Sequence, residues 1–177
     1  MKLSVPLQSE RLYYRTLIEK DVDEHYHRWL QDPRINQYLE VRHATLSLSQ
    51  LKEYVNRMND AENHLLLGIF LNSDRHIGNV KLGPIDWKNK RTMLGLLIGD
   101  CLSWNQGYAT EAIRTVSHWA FQQLHLRRVG AGCYASNIGS SKAFAKAGFR
   151  EEGRLKSYWA TEQGYEDSLM MALVKED

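Results

Sequence analysis

The chain has 177 residues, 43% of them hydrophobic, enough for one domain with a sizeable core, and no linker or low-complexity stretch divides residues 1–177. Its 23 Lys and Arg stand against 21 Asp and Glu, a formal charge of +2; this is too small to mark a nucleic-acid or membrane surface, so an anion has to be bound locally. The opening MKLSVPLQSE lacks an apolar core with a cleavage site, and nowhere do about 18 apolar residues run together, so a cytoplasmic protein without a membrane span is expected.

In chain order, RLYYRTL (Arg11 to Leu17) alternates apolar and polar residues and predicts a strand. EKDVDEHYHRWLQ follows with Val22, Tyr26, Trp29 and Leu30 at helical spacing, until Pro33 stops the pattern. A second helix is predicted over 47–58, capped by Ser47 or Ser49, with Leu48, Leu51, Val55 and Met58 on one face; residues 32–46 read as a polar surface lip. HLLLGIFL, HIGNVKLGPIDW and TMLGLLIGDCL, separated by the polar turns NSDR and KNKR, predict an antiparallel meander. The third run is apolar from Met93 to Ile98, as a strand covered on both faces would be. From Tyr108, the residues Ala109, Ala112, Ile113, Val116, Ala120 and Leu124 mark one stripe of a helix ending near Leu124 to Leu126. RRVGAGCYA is a further strand, IGSSKAFAKAG a short helix closed by Gly148, and the tail a closing hairpin.

The order β-α-α-β-β-β-α-β-α-β-β defines an α/β (α+β) domain with a mixed, mostly antiparallel sheet of about seven strands. The helical crossover makes the Met93 and Val129 strands parallel, and ligands favour the carboxyl ends of such strands. Cys101 and Cys133 fall in strand-like segments without metal-site spacing, and His25 and His27 sit two apart on a helix, facing different directions; no metal is predicted.

WNQGYAT (Trp104 to Thr110) places a bare glycine at the start of the long helix. A helix begins with unpartnered N–H groups and about half a positive charge. Gly107 lets the chain turn sharply against a bulky anion, Ala109 keeps the next wall low and Thr110 offers a hydroxyl. The alternative is a strand-to-helix turn that simply uses glycine. No lysine follows, which argues against a nucleotide-triphosphate P-loop. Further on, YASNIGSSKAFAKAGFREEG (Tyr134 to Gly153) places Asn137 after a strand, Ser140 and Ser141 on the first turn of a short helix, and Gly148-Phe149 at its end.

Together these two segments resemble the GNAT superfamily of N-acetyltransferases, in particular its Rim-type, ribosomal-protein N-terminal acetyltransferase branch. The resemblance implies a single GNAT-like domain with helices on both sheet faces and a splayed parallel pair forming an acetyl-CoA cleft. It implies that Gln106, Gly107, Tyr108, Ala109 and Thr110 bind the pyrophosphate, and that Asn137, Ser140 and Phe144 lie along the pantetheine arm and thioester. Where the family has Gln or Arg three residues before the glycine, this chain has Trp104. The implied reaction is direct attack of a primary amine on the thioester in a ternary complex. Oxyanion donors are implied where the Met93 strand splays, near Leu97, Ile98 and Gly99; Gly95 and Gly99 permit such distortion or, equally, close packing. Asn137 and Ser140 are the catalytic candidates. Many family members carry a tyrosine seven residues after the asparagine, as the donor to the leaving thiolate; here Phe144 stands there and cannot donate, which passes that task to Ser140, with Tyr134 or water behind it.

The amine needs a base only in proportion to its pKa, about 8 for an α-amino group and about 10.4 for lysine. His76, Asp86, Glu40 and Glu162 are candidates that no motif selects. INQYLEVRH and KSYWATEQGY are expected to line an acceptor groove for a small-molecule or peptide amine, a protein N-terminus or an amino sugar, in a monomer or homodimer. A noncatalytic acyl-CoA-binding module is the competing reading.

Overall fold

The computed structural model describes residues 1–176. Its elements are β1 (Leu7–Gln8), β2 (Leu12–Thr16), α1 (Glu24–Gln31), α2 (Pro33–Asn36), α3 (Leu48–Asp60), β3 (Leu65–Leu71), β4 (His76–Leu82), β5 (Arg91–Ile98), α4 (Tyr108–Gln123), β6 (Arg128–Tyr134), α5 (Ile138–Lys146), β7 (Arg150–Thr161) and β8 (Gly164–Val174). The expected elements all form. The described sheet has eight strands, ordered β1-β2-β3-β4-β5-β6-β8-β7, because the two-residue β1 is too short to leave a periodic signal. Pro33 ends α1 as expected but also starts α2, where its missing N–H costs nothing; Asp32 closes one helix and caps the next through the Arg34 N–H. Ser47, not Ser49, caps α3, in a reciprocal pair with Gln50.

Alternation along the strands sends side chains to two cores. Leu12, Tyr14, Leu67 and Ile69 face α4, which buries Ala112, Ile113, Val116 and Ala120; Leu66 and Phe70 face Trp29 of α1 and Leu51 and Val55 of α3. Helices therefore cover both sheet faces. The β2–β5 meander is antiparallel, and β5 and β6, joined by the α4 crossover, are parallel.

The expectation that β5 is covered on both faces from Met93 to Ile98 is corrected. Leu94 is buried, Met93 and Gly95 are exposed, and Leu96 to Ile98 are half-buried. β5 also ends at Ile98, short of the predicted Leu102, because Asp100 caps a tight helical turn over Cys101–Ser103. The exposure along β5 reflects how β5 meets β6.

Candidate active site

β5 and β6 pair only through Arg91↔Arg128, Thr92↔Val129 and Met93↔Gly130. Beyond them Leu94 to Ile98 remain bonded to β4 and Ala131 to Tyr134 to β8, so the sheet opens while each strand keeps one partner. Gly83 donates to the Met93 carbonyl and Gly99 to the Ile77 carbonyl, both bonds tying β5 to the β4 side, with no register shift between. Strand alternation then turns the Leu97 N–H to β4 and the Leu96 and Ile98 N–H groups to the gap. Within the stretch expected to hold oxyanion donors, Ile98 is the residue whose N–H faces the opening. The two glycines part company: a Cβ on Gly95 would meet nothing within 4 Å, whereas one on Gly99 would lie 2.0 Å from the Trp29 ring, so Gly99 serves close packing.

The Gly107 turn stands at the carboxyl end of β5. The Trp104 indole N–H donates to the Ile98 carbonyl at 2.8 Å and the Gln106 amide to the Leu102 carbonyl at 2.6 Å, folding the loop back on the strand. Gly107 has φ 82° and ψ 1°, left-handed backbone that favours glycine. Its carbonyl accepts the first intrahelical bond, from Glu111, leaving the N–H groups of Tyr108, Ala109 and Thr110 at the helix start with no side-chain cap among the described residues. A Cβ on Gly107 would approach only the Arg11 Nη2 atom, at 3.5 Å. This is an open, positively polarised surface with the chemistry to hold a phosphate.

On the other side of the gap, Asn137 caps α5, its Oδ1 accepting the Ser140 N–H at 3.0 Å. Burial pushes the Cys133 thiol up, and the neighbouring Ser140 hydroxyl partly offsets it. Phe144 is 2% exposed and packs edge-to-face on Phe149 with ring centroids 5.0 Å apart. Gly148, φ 101°, closes the helix as expected.

Of the four base candidates, Glu40 meets the end of β6. The Tyr134 hydroxyl, at the last residue of β6, donates to Glu40 Oε1 at 2.6 Å and accepts from Arg42 Nη1 at 2.7 Å. Burial, then the Glu40 carboxylate, raises the Tyr134 pKa, keeping it a proton donor. Trp159 stacks on the Tyr134 ring at 4.7 Å, and Arg42 also donates to the Ala160 carbonyl, so the lip and the tail hairpin close over one tyrosine. His76 is enclosed by Tyr26, Trp29 and Phe70; its Nε2 lies 2.9 Å from both the Gly78 carbonyl and Asn79 Oδ1, and burial lowers its pKa. Asp86 pairs with Arg91 and Asn89 at the opposite end of β5, and Glu162 lies in the exposed β7–β8 turn. Among the described residues no three His, Cys, Asp or Glu side chains gather as a metal site, and no helix is long and apolar enough to cross a membrane.

Two features escaped the sequence reading. Arg11 reaches the Gly107 turn from just before β2, and the Glu40–Tyr134–Arg42 network joins residues more than 90 positions apart; neither leaves a local signal.

A parted parallel pair with an uncapped helix start at its mouth is an opening suited to an anionic ligand. The Acetyltransferase (GNAT) domain family matches residues 11–150, and the chain belongs to that family and is an acetyltransferase. It is 35% identical to the probable N-acetyltransferase YjcK of Bacillus subtilis (strain 168), over 72% of this chain and 71% of that one. In fold it is similar to spermidine N-acetyltransferase from Vibrio cholerae, solved with CoA and spermine (TM-score 0.84, 20% identity, 94% of this chain and 96% of that one). It is likewise similar to ribosomal-protein-S5-alanine acetyltransferase from Vibrio fischeri (TM-score 0.83, 20% identity, 98% of each).

Proposed function

We propose that the protein transfers an acetyl group from acetyl-CoA to a primary amine, by direct attack in a ternary complex, and that the acceptor is a protein N-terminus, as in the Rim-type branch, or a small-molecule amine such as an amino sugar. The observation that carries this reading is the opening of the sheet after Met93 and Gly130, with the uncapped start of α4 at its mouth. Acetyl-CoA supplies the activated thioester; the chain's own residues supply everything else. The residues present fit it: Gly107 leaves open space beside the N–H groups of Tyr108, Ala109 and Thr110, which bind the pyrophosphate with Gln106 shaping the turn. Leu97 and Ile98 border the arm, and the Ile98 N–H is the donor for developing negative charge. Asn137 orients the arm through its side-chain amide, Ser140 passes a proton to the departing coenzyme A thiolate, and Phe144 forms the wall behind them.

The acceptor enters from the side of Glu40 and Tyr134. An α-amino group with a pKa of about 8 needs only a weak base, and Glu40, hydrogen-bonded to Tyr134, suffices for one. The test is thiol release from acetyl-CoA against peptide N-termini, amino sugars and polyamines, with mass spectrometry of the acceptor. Acetylation of a peptide N-terminus or an amino sugar supports the reading. Release of thiol without any acetylated amine overturns it.

A further inference from the structure

We infer that Arg11, just before β2, is a binding residue for the coenzyme A pyrophosphate, supplying from a distant segment the cation that the Gly107 turn lacks. The inference rests on the reading that the start of α4 receives that diphosphate.

Residues 104–110 contain no Lys or Arg, and Trp104, where the family has Gln or Arg, commits its indole N–H to the Ile98 carbonyl. Arg11 fills the gap in charge. Its Nη1 donates to the Gln106 carbonyl at 2.9 Å, its Nε to Glu111 Oε2 at 2.7 Å, and its Nη2 lies 2.7 Å from the same oxygen. The guanidinium centre stands 4.6 Å from the centroid of the Tyr108 ring, and Nη2 is the one atom that a Cβ on Gly107 would approach. Three of the five guanidinium N–H groups are thus engaged, and two remain for an anion beside the unpartnered N–H groups of α4.

The fixation exceeds what a surface ion pair requires. Glu111 also accepts the Arg11 backbone N–H at 2.8 Å and the Ser9 hydroxyl at 2.7 Å, so the carboxylate is anchored before it holds the guanidinium. Glu111 nevertheless poses a problem for phosphate binding. Its negative charge on the first turn of α4 suits the helix dipole but repels a diphosphate at the same end. Arg11 neutralises that carboxylate and places positive charge on the side facing the turn. Removing Arg11 would then do two things: delete a phosphate donor and expose a repelling carboxylate.

The test is equilibrium binding of CoA, dephospho-CoA and pantetheine to wild type, Arg11→Gln, Arg11→Lys and the double variant Arg11→Gln/Glu111→Gln. Dephospho-CoA keeps the pyrophosphate and lacks the 3′-phosphate; pantetheine has neither. Arg11→Gln should weaken CoA and dephospho-CoA alike, by roughly tenfold to a hundredfold, the loss of a charge-assisted hydrogen bond, and leave pantetheine unchanged. Arg11→Lys should recover part of the loss, and so should the double variant, because the exposed carboxylate is gone. Unchanged CoA affinity in folded Arg11→Gln overturns the inference, as does an equal loss for pantetheine, which marks a structural residue. A loss for CoA but not dephospho-CoA moves Arg11 to the 3′-phosphate and also overturns it. If Arg11→Gln does not fold, the three-ligand comparison is read on Arg11→Lys, with a smaller loss of the same pattern expected. Wild type that binds no CoA defeats the functional reading itself, a different result from any of these.

Discussion

Gly107 has two competing reasons to be glycine, and a pair of substitutions separates them. Its φ of 82° is left-handed, so a β-branched side chain there is strained. The space around it is open, with only Arg11 Nη2 within 4 Å of an added Cβ, so nothing in the protein itself forbids a side chain. Gly107→Val both strains the backbone and fills the space. The strain is worth about 1–2 kcal/mol, which in a domain of this size lowers Tm by roughly 2–8 °C. Gly107→Asn tolerates the left-handed conformation and should stay within a few degrees of wild type while its side chain occupies the same surface. If that surface receives the pyrophosphate, displacing one charge-assisted hydrogen bond, about 1.5–3 kcal/mol, raises the KM for acetyl-CoA by roughly tenfold to a hundredfold in both variants. The assay is thiol release against acetyl-CoA concentration, paired with thermal melts. A Gly107→Asn protein that melts like wild type and keeps its KM would refute the assignment and leave the glycine as a turn residue only.

Asn137→Ala removes the α5 cap and should cost about 1 kcal/mol, or roughly 2–4 °C in Tm, whereas Asn137→Asp keeps the capping oxygen and loses the amide; a fall in kcat for Asn137→Asp at unchanged Tm marks a role at the thioester, and full activity marks a cap. Ser140→Ala should lower kcat by roughly tenfold to a hundredfold, at or below the usual range for a positioned acid, and Phe144→Tyr added to it should recover part. No recovery in pH–rate profiles would mean that the buried Phe144 ring does not present its edge to the gap. Burial works to raise the Glu111 pKa, but the hydrogen bonds from Arg11 and Ser9 outweigh it and hold the carboxyl below its ordinary 4.5. The stability Glu111 contributes is therefore complete above about pH 4.5 and lost as pH falls through its depressed folded value. Melts of Glu111→Gln should lose that acid-limb dependence while wild type keeps it; parallel curves would show that the pairing adds no stability.

The network over Tyr134 shapes the end of β6. Glu40 and Arg42 come from the lip and Trp159 from the tail hairpin, and all meet at the last residue of a parted strand. The lip does not hang free: α2 and a tight turn over Glu40–His43 give it structure, and the Tyr134 hydrogen bonds tie it to the sheet.

The sequence by itself determined the class of fold, because its signals are local. Alternation in RLYYRTL, the fully buried stripe of Ala112, Ile113, Val116 and Ala120, a serine cap at 47 or 49 and the glycines at 107 and 148 each depend on neighbours within a turn or two. The same locality carried the Gly107 and Asn137 segments, whose backbone chemistry is written in a few consecutive residues. What only the tertiary structure decided is where strands stop pairing and which distant side chains meet. An apolar run from Met93 to Ile98 reads alike whether its neighbour stays paired or leaves, since pairing is a property of two strands. The choice of Ile98 over Leu97 to face the gap rests on the β4 register. Arg11 at the Gly107 turn and Glu40 at Tyr134 depend on contacts across 95 and 94 residues, which no periodicity in either segment encodes.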